Sequence, residues 1–179
     1  MSHKKRKVKN KTNPKGNVNS NPADLQNIVY LDFTKHSKWT ETVNIKGFTN
    51  CLKSPNEASR HFLFIVDQLI PDIQSYGMDI LSNNAPHCHA LTGDARKKAI
   101  KVIDTIYNGK VETKDSNIWE LGAKTEEIRL IGMFVNDTVK RFYPLFIDHH
   151  HLLYPDMYYN QPDYKHYHLT KKDITQLPN

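Results

Sequence analysis

Cysteine and long apolar runs are both scarce in this chain. Cys51 and Cys88 are its only cysteines among 179 residues, too few for the disulfide framework of a small secreted domain. No apolar run approaches the roughly 20 residues of a membrane-spanning helix. No apolar segment follows the charged N-terminus, as one would in a secretory signal. We therefore predict a cytoplasmic protein with no membrane partner.

Acidic residues are missing from the first 16 positions, which hold seven lysines and arginines. The other 18 basic side chains nearly balance 19 acidic ones, so the net charge of +6 belongs to this segment. Residues 1–26 have almost nothing to bury, which predicts a disordered basic arm. Such an arm can bind a polyanion without recognising its sequence. Its KKRKVK run also resembles a nuclear localisation signal. The predicted RNA-binding residues of the arm are Lys4, Lys5, Arg6 and Lys7.

The rest of the chain predicts an α+β domain at 27–155, followed by a tyrosine- and histidine-rich tail at 156–179. Apolar residues at helical spacing follow a capping serine, Ser54, and a second helix follows Asp94. Alternating apolar residues then indicate three consecutive strands. We predict a curved antiparallel β-sheet packed on one face against two or three helices. The predicted strands are 27–33, 117–124, 126–136 and 139–148.

Three consecutive motifs distinguish the second half of the chain. A lysine-rich helix that ends in glycine is followed by IWELGAK, by EIRLIGMF with its arginine, and by RFYPLFID running into histidine. This order resembles the RelE/ParE-like toxin superfamily of small bacterial or phage proteins. The resemblance covers 94–155 and leaves 27–93 as an N-terminal extension. Gly122 stands where that superfamily commonly has an arginine.

The resemblance implies an RNA-directed toxin of the RelE type, a metal-independent endoribonuclease that acts on ribosome-associated mRNA. It implies RNA or the ribosome as a partner, allows an antitoxin protein as a second one, and requires no cofactor. Cleavage through the 2′-OH needs a group that takes its proton, positive charge for the pentacoordinate phosphate and a donor for the leaving oxygen. In RelE-type enzymes, basic and aromatic side chains on a concave sheet face supply these groups.

The candidate catalytic residues lie on two predicted strands and directly after them. The two arginines would hold phosphate, because a guanidinium offers paired donors. The tyrosine would stack or donate, and one histidine of the run at 149–151 would move the proton. Three lysines on one helix form the candidate RNA-binding face of the domain. The candidates are Arg129, Arg141, Tyr143, His149, His150 and His151 for catalysis, and Lys97, Lys98 and Lys101 for RNA binding.

Two other interpretations stay open. The chain could be a non-enzymatic inhibitor, phage-encoded or toxin-like, that binds nucleic acid or protein. It could also be a metal-dependent hydrolase that combines the histidines at 149–151 with His87 and His89. Strand alternation separates His150 from its two neighbours, so the three cannot ligate one ion without a bulge. Our prediction therefore assigns no metal site.

Overall fold

The computed structural model describes residues 28–125, 128–135, 140–156, 158 and 164–176. Within these ranges, five strands form one sheet and two short strands form a hairpin, with helices packed against the sheet. The predicted α+β fold is therefore confirmed. The predicted basic arm, with Lys4, Lys5, Arg6 and Lys7, lies outside the described residues.

The strands are short at the sheet edges and longer in its centre. In chain order they are β1 (Tyr30–Leu31), β2 (Asn44–Ile45), β3 (Phe48–Thr49), β4 (Cys88–Ala90), β5 (Ile118–Gly122), β6 (Arg129–Val135) and β7 (Arg141–Asp148). The order across the large sheet is β1-β7-β6-β5-β4. β5, β6 and β7 form the predicted antiparallel meander. β4 extends it from a stretch predicted to be a loop, and β1 pairs with β7 in the parallel direction.

A long helix precedes β4 and a second one follows it. The Ser54 side chain caps the first, as predicted, by accepting a hydrogen bond from the Glu57 N–H, which satisfies one of the free donors at a helix start. The helices are α1 (Pro55–Phe64), a π-helical turn (Ile65–Leu69), α2 (Ile70–Tyr76), α3 (Gly93–Tyr107) and α4 (Lys171–Thr175), with 3₁₀ turns at Gly77–Ile80 and Tyr164–His166.

β7 contains a bulge where the sequence places a proline. Gly132 pairs with Pro144 and Ile131 pairs with Phe146, which leaves Leu145 as the extra residue. Proline has no N–H to donate to a ladder, so a bulge is one of the few places it fits inside a sheet. The extra residue shifts the alternation of side chains. As a result, Phe146 lies on the same face as Tyr143.

Helices cover both faces of the sheet rather than the single face that the sequence predicted. Ile131 packs with Ile103 of α3 in one apolar cluster. Its neighbour Leu130 packs with Leu69 and Ile73, from the π-helical turn and α2, in the other. The first five residues of β6 are all buried. A strand that is covered on both faces does not show the alternation of apolar and polar residues seen in a strand with one exposed face. The candidate site lies on the α3 face.

Candidate active site

Three side chains from separate segments meet at one end of the α3 face. The Oε1 atom of Glu120 on β5 lies 3.4 Å from Nε of Arg129 on β6. The same oxygen lies 3.2 Å from Nε2 of His151, which follows β7. Glu120 is 1% exposed and Arg129 is 5% exposed. A buried carboxylate therefore holds a guanidinium and an imidazole beside each other.

The strand register explains why these side chains converge. Arg129 pairs with Gly122 on one side and with Asp148 on the other, and directly paired residues point to the same face. A Cβ atom at Gly122 would lie 2.9 Å from both Cδ and Nε of Arg129. Such contacts are too short, so the glycine leaves the space that the arginine side chain occupies.

The turn after β7 directs His151 toward Glu120. Asp148 is fully buried, and its carboxylate accepts hydrogen bonds from the backbone N–H groups of His150, Leu152 and Leu153. His151 lies within this turn at a φ of 54°, a left-handed conformation that is uncommon for a residue with a side chain. Burial raises the pKa of Asp148, against the three N–H donors, which lower it.

A pocket of about 670 Å³ opens beside the Glu120 group. Arg129 and His151 form its inner wall, and His87 lines it from the loop before β4. The first turn of α3 and the segment at 153–156 complete the lining. The pocket therefore exposes one cation and two imidazoles to a ligand.

Carboxylates and an aromatic ring lie toward the outside of the pocket. Asp94 and Asp156 line it, and Asp94 forms an exposed ion pair with Lys97 at 3.0 Å. The Tyr154 ring lies 6.0 Å from the His151 ring and 5.5 Å from the His89 ring, measured between centroids. Burial raises the pKa of Tyr154, with a further contribution from the Glu120 charge.

His149 and His150 occupy environments different from that of His151. Nδ1 of His149 lies 3.1 Å from Nδ1 of His61 on α1, with the two rings stacked. Burial lowers the pKa of His149 well below its usual value and that of His61 to about 4. Nε2 of His150 lies 2.8 Å from the Cys51 carbonyl oxygen. These two histidines therefore join segments of the fold and do not face the pocket.

Arg141 and Tyr143 lie away from the pocket as well. Arg141 pairs with Val135 and Tyr143 pairs with Met133, toward the far end of β6 from Arg129. Six residues of strand separate the two arginine positions, roughly 20 Å at the usual rise per residue. Of the predicted catalytic residues, the structure brings Arg129 and His151 together, and it separates the other four from them.

The three candidate lysines of α3 have different surroundings. Lys98 points inward, where its Nζ donates to the Leu152 carbonyl oxygen at 2.7 Å, and burial lowers its pKa. Lys97 pairs with Asp94 at the surface. Lys101 is exposed. Two of the three are therefore available to a ligand on the outer face of α3.

Glu120 and His87 are residues of the site that the sequence analysis did not assign to it. Ile118, Glu120 and Gly122 are two residues apart on β5, so their side chains lie on the same, inward face of the sheet. This spacing indicated that Glu120 was not a surface carboxylate. Its second oxygen, Oε2, is buried and has no hydrogen-bond partner within the described residues. The sequence analysis names His87 only as a possible residue of a metal-dependent hydrolase.

The described residues contain no group of three or more His, Cys, Asp or Glu side chains placed to hold a metal ion. The closest approach between two imidazoles is the contact of His61 with His149. Among these same residues, no helix combines the length and the apolar character that a membrane span requires.

Comparison with known proteins places the pocket within the part of the chain that a family model matches. A family model described as Uncharacterised protein UU032 matches residues 35–176. The chain belongs to this family. It is also 24% identical over 165 residues to Uncharacterized protein UU032 of Ureaplasma parvum serovar 3 (strain ATCC 700970), a match that covers 90% of this chain and 91% of the relative. No solved structure gives a significant match.

The UU032 family match runs through the predicted extension, core and tail without interruption. It includes every residue that lines the pocket. The basic arm at 1–26 lies before it.

Proposed function

We propose that this UU032 family protein is an RNA-directed, metal-independent endoribonuclease, and that the pocket beside Glu120 is its active site. One observation carries the proposal. A single buried carboxylate oxygen lies within 3.4 Å of both a guanidinium nitrogen and an imidazole nitrogen that line the same pocket. This arrangement supplies a proton-transfer group and a positive charge at one place.

The contact with Glu120 fixes the orientation of the His151 ring. Because the carboxylate accepts, Nε2 of His151 carries the hydrogen, which leaves Nδ1 to exchange protons with a ligand. In serine hydrolases a carboxylate orients the catalytic histidine in the same manner and stabilises the imidazolium that forms. His151 is accordingly the proton-transfer residue of the run at 149–151.

Arg129 supplies the charge that phosphoryl chemistry needs. A guanidinium can stabilise the extra negative charge of a pentacoordinate phosphate where water is largely excluded. Its Nε lies 3.4 Å from Oε1 of Glu120, and its Nη1 donates to the Ile128 carbonyl oxygen at 3.2 Å. These contacts hold the guanidinium in a fixed position beside the pocket that it lines. Arg141 and Tyr143 lie too far along β7 for the same step, and we assign them to binding of more distant RNA.

The resemblance to RelE-type toxins supports our proposal for the target, the location and the partners of the protein. The strand motifs that carry it supply Glu120 and Arg129, two of the three side chains that meet beside the pocket. On this proposal the protein acts in the cytoplasm on ribosome-associated mRNA, the basic arm binds RNA or the ribosome, and an antitoxin neutralises the activity.

The test is a cleavage assay with labelled RNA, with and without ribosomes, in the presence of a chelator. We expect cleavage that survives the chelator and that falls by roughly 100-fold or more in His151→Asn, the usual cost of losing a general acid–base group. Asparagine tolerates the left-handed backbone at this position. His166→Asn is the matched control, since His166 is exposed and does not line the pocket. No cleavage by the wild-type protein with or without ribosomes would overturn the proposal.

An apolar surface on α1 favours a second candidate, a non-enzymatic protein that binds another protein. Phe62 is 64% exposed, Leu63 is 56% exposed and Val66 is 45% exposed, and adjoining exposed apolar side chains often mark an interface. Binding without cleavage would support this candidate. Cleavage that depends on added zinc or manganese would instead support a metal-dependent hydrolase.

A further inference from the structure

His87 is an imidazole of the pocket that the proposed function does not use. It enters from the loop before β4, whereas His151 enters from the turn after β7. A Cβ atom at Gly122 would lie 2.9 Å from Cβ of His87 and 2.9 Å from Nε of Arg129. The side chains of His87 and Arg129 therefore both pass close to Gly122.

The ring of His87 is available to a ligand. No group in the described parts of the chain hydrogen-bonds either of its nitrogens, and the residue is exposed. Its backbone has a φ of 55°, close to the 54° of His151. Left-handed residues with side chains are strained, and they cluster at functional sites. Both imidazoles of the pocket are thus held by backbone conformations that the surrounding structure must impose.

We propose that His87 and His151 divide the two proton transfers of RNA cleavage, with His87 as the base and His151 as the acid. This inference rests on the proposed function. It names a second catalytic residue and restricts the substrate, because the base needs a ribose 2′-OH beside the phosphate.

The charges around each ring decide which of them is the base. The charges that act on the His87 ring are those of Arg129, His151, Glu120 and His89. Burial lowers the pKa of His87, and the Arg129 charge lowers it further, so His87 stays neutral near pH 7 and can accept a proton. Nε2 of His151 lies 3.2 Å from Oε1 of Glu120, so a negative charge lies beside this ring.

The reaction then balances without any co-reactant. Neutral His87 takes the proton of the 2′-OH, and the 2′-oxygen forms a bond to phosphorus. The bond between phosphorus and O5′ breaks, and Nδ1–H of protonated His151 gives its proton to O5′. The products are a 2′,3′-cyclic phosphate and a 5′-hydroxyl, and the protein is left with His87 protonated and His151 neutral. Exchange with water resets both.

The carboxylates near the pocket fit a substrate that offers hydroxyl and amino groups as well as phosphate. Asp94 and Asp156 line the side of the pocket formed by α3 and the segment at 153–156. They would repel a phosphate placed there, so the phosphate has to lie against Arg129. Ribose hydroxyls or base amino groups can donate to the carboxylates.

The test uses two substrates that differ in the need for an acid. RNA has a poor leaving group at O5′, whereas nucleoside 3′-(4-nitrophenyl phosphates) have one that leaves without protonation. We expect full-length His87→Asn to lose roughly 100-fold on both substrates, and His151→Asn to lose a similar factor on RNA but little on the nitrophenyl esters. His87→Asn should also lose the acidic limb of the pH–rate profile, and His151→Asn the basic limb. The control is His166→Asn, with thermal unfolding to confirm that each variant folds, and His87→Gln is the second variant.

The outcomes separate this inference from the proposed function. If wild-type protein cleaves RNA and both His87 variants keep its rate and its acidic limb, the two-imidazole assignment is overturned and the proposed function stands. Cleavage of 2′-O-methyl RNA would overturn it in the same way. If wild-type protein cleaves neither RNA nor the nitrophenyl esters, both fail.

Discussion

Gly122 and Arg129 face each other across β5 and β6, and the missing side chain of the glycine makes room for the guanidinium. The side chain of Arg129 occupies the space above the glycine. The strand register and the absence of a Cβ atom at Gly122 together determine where the guanidinium lies.

Adding one methyl group at Gly122 should displace Arg129 without unfolding the protein. The new Cβ in Gly122→Ala would lie 2.9 Å from Arg129 and from Cβ of His87, so one of them must move. We expect destabilisation of about 1–3 kcal/mol, typical of overpacking, and loss of most RNA cleavage. Urea unfolding and the cleavage assay measure the two effects.

Gly47→Ala is the control for the Gly122 prediction. A Cβ there meets nothing within 4 Å, although the φ of 81° strains it. This variant should lose stability and keep its cleavage rate. Normal activity of Gly122→Ala would show that the space above the glycine does not matter to the site.

Some of the site could have been predicted more fully from the sequence. The start of β7 must pair with the end of β6 in an antiparallel hairpin, so Arg141 had to lie near Val135 and far from Arg129. The same pairing puts the residues after Asp148 beside Arg129. Strand direction alone therefore favoured the histidine run over Arg141 as the partner of Arg129.

Other features depend on contacts that no local pattern encodes. The different directions of His149, His150 and His151 follow from the hydrogen bonds that Asp148 accepts and from the left-handed backbone at His151. The capping serine and the proline bulge, in contrast, are local steric and hydrogen-bonding effects. Both follow from local sequence, and the structure confirms the predicted cap at Ser54.

Removing the charge of Glu120 should weaken both the fold and the site. Glu120→Gln removes the carboxylate charge that lies 3.4 Å from Nε of the buried Arg129, and breaking a buried pair costs about 3–5 kcal/mol. Glu120 acts on catalysis through His151, so the pH–rate profile should also change. Glu112→Gln, at an exposed position, is the control. An unaltered profile in a folded Glu120→Gln protein would contradict the positioning of His151 by this carboxylate.

Acid should destabilise the protein through the contact between His61 and His149. His61 is buried and His149 is half-buried, and desolvation holds the pKa of each below the usual 6.5, that of His61 at about 4. As the pH falls, the unfolded chain binds protons at these positions before the folded protein does. The contribution of the two histidines to the free energy of unfolding is therefore complete above about pH 6.5 and decreases as the pH drops toward 4. One pKa unit corresponds to about 1.36 kcal/mol. The shift of His61 from 6.5 to about 4 therefore lowers the free energy of unfolding by about 3 kcal/mol in acid.

His61→Leu isolates this effect from other titrating groups. The raised pKa of Asp148 works in the opposite direction, because the folded protein takes up that proton before the unfolded chain does. Urea unfolding at several pH values between 7 and 4 should therefore give a shallower fall in His61→Leu than in the wild-type protein. Parallel curves for the two proteins would mean that His61 is not buried in its neutral form.

Deleting residues 1–16 should make RNA binding less sensitive to salt. Each phosphate contact on a single strand contributes a slope of about −0.7 to log K against log salt concentration. The segment holds seven positive charges, so up to seven contacts can be lost. An arm with the same residues in shuffled order should keep the full slope, because counterion release depends on charge and not on sequence. Equal slopes for the full-length and the truncated protein would place the RNA contacts on the folded domain, where Lys97 and Lys101 of α3 would be the next positions to replace.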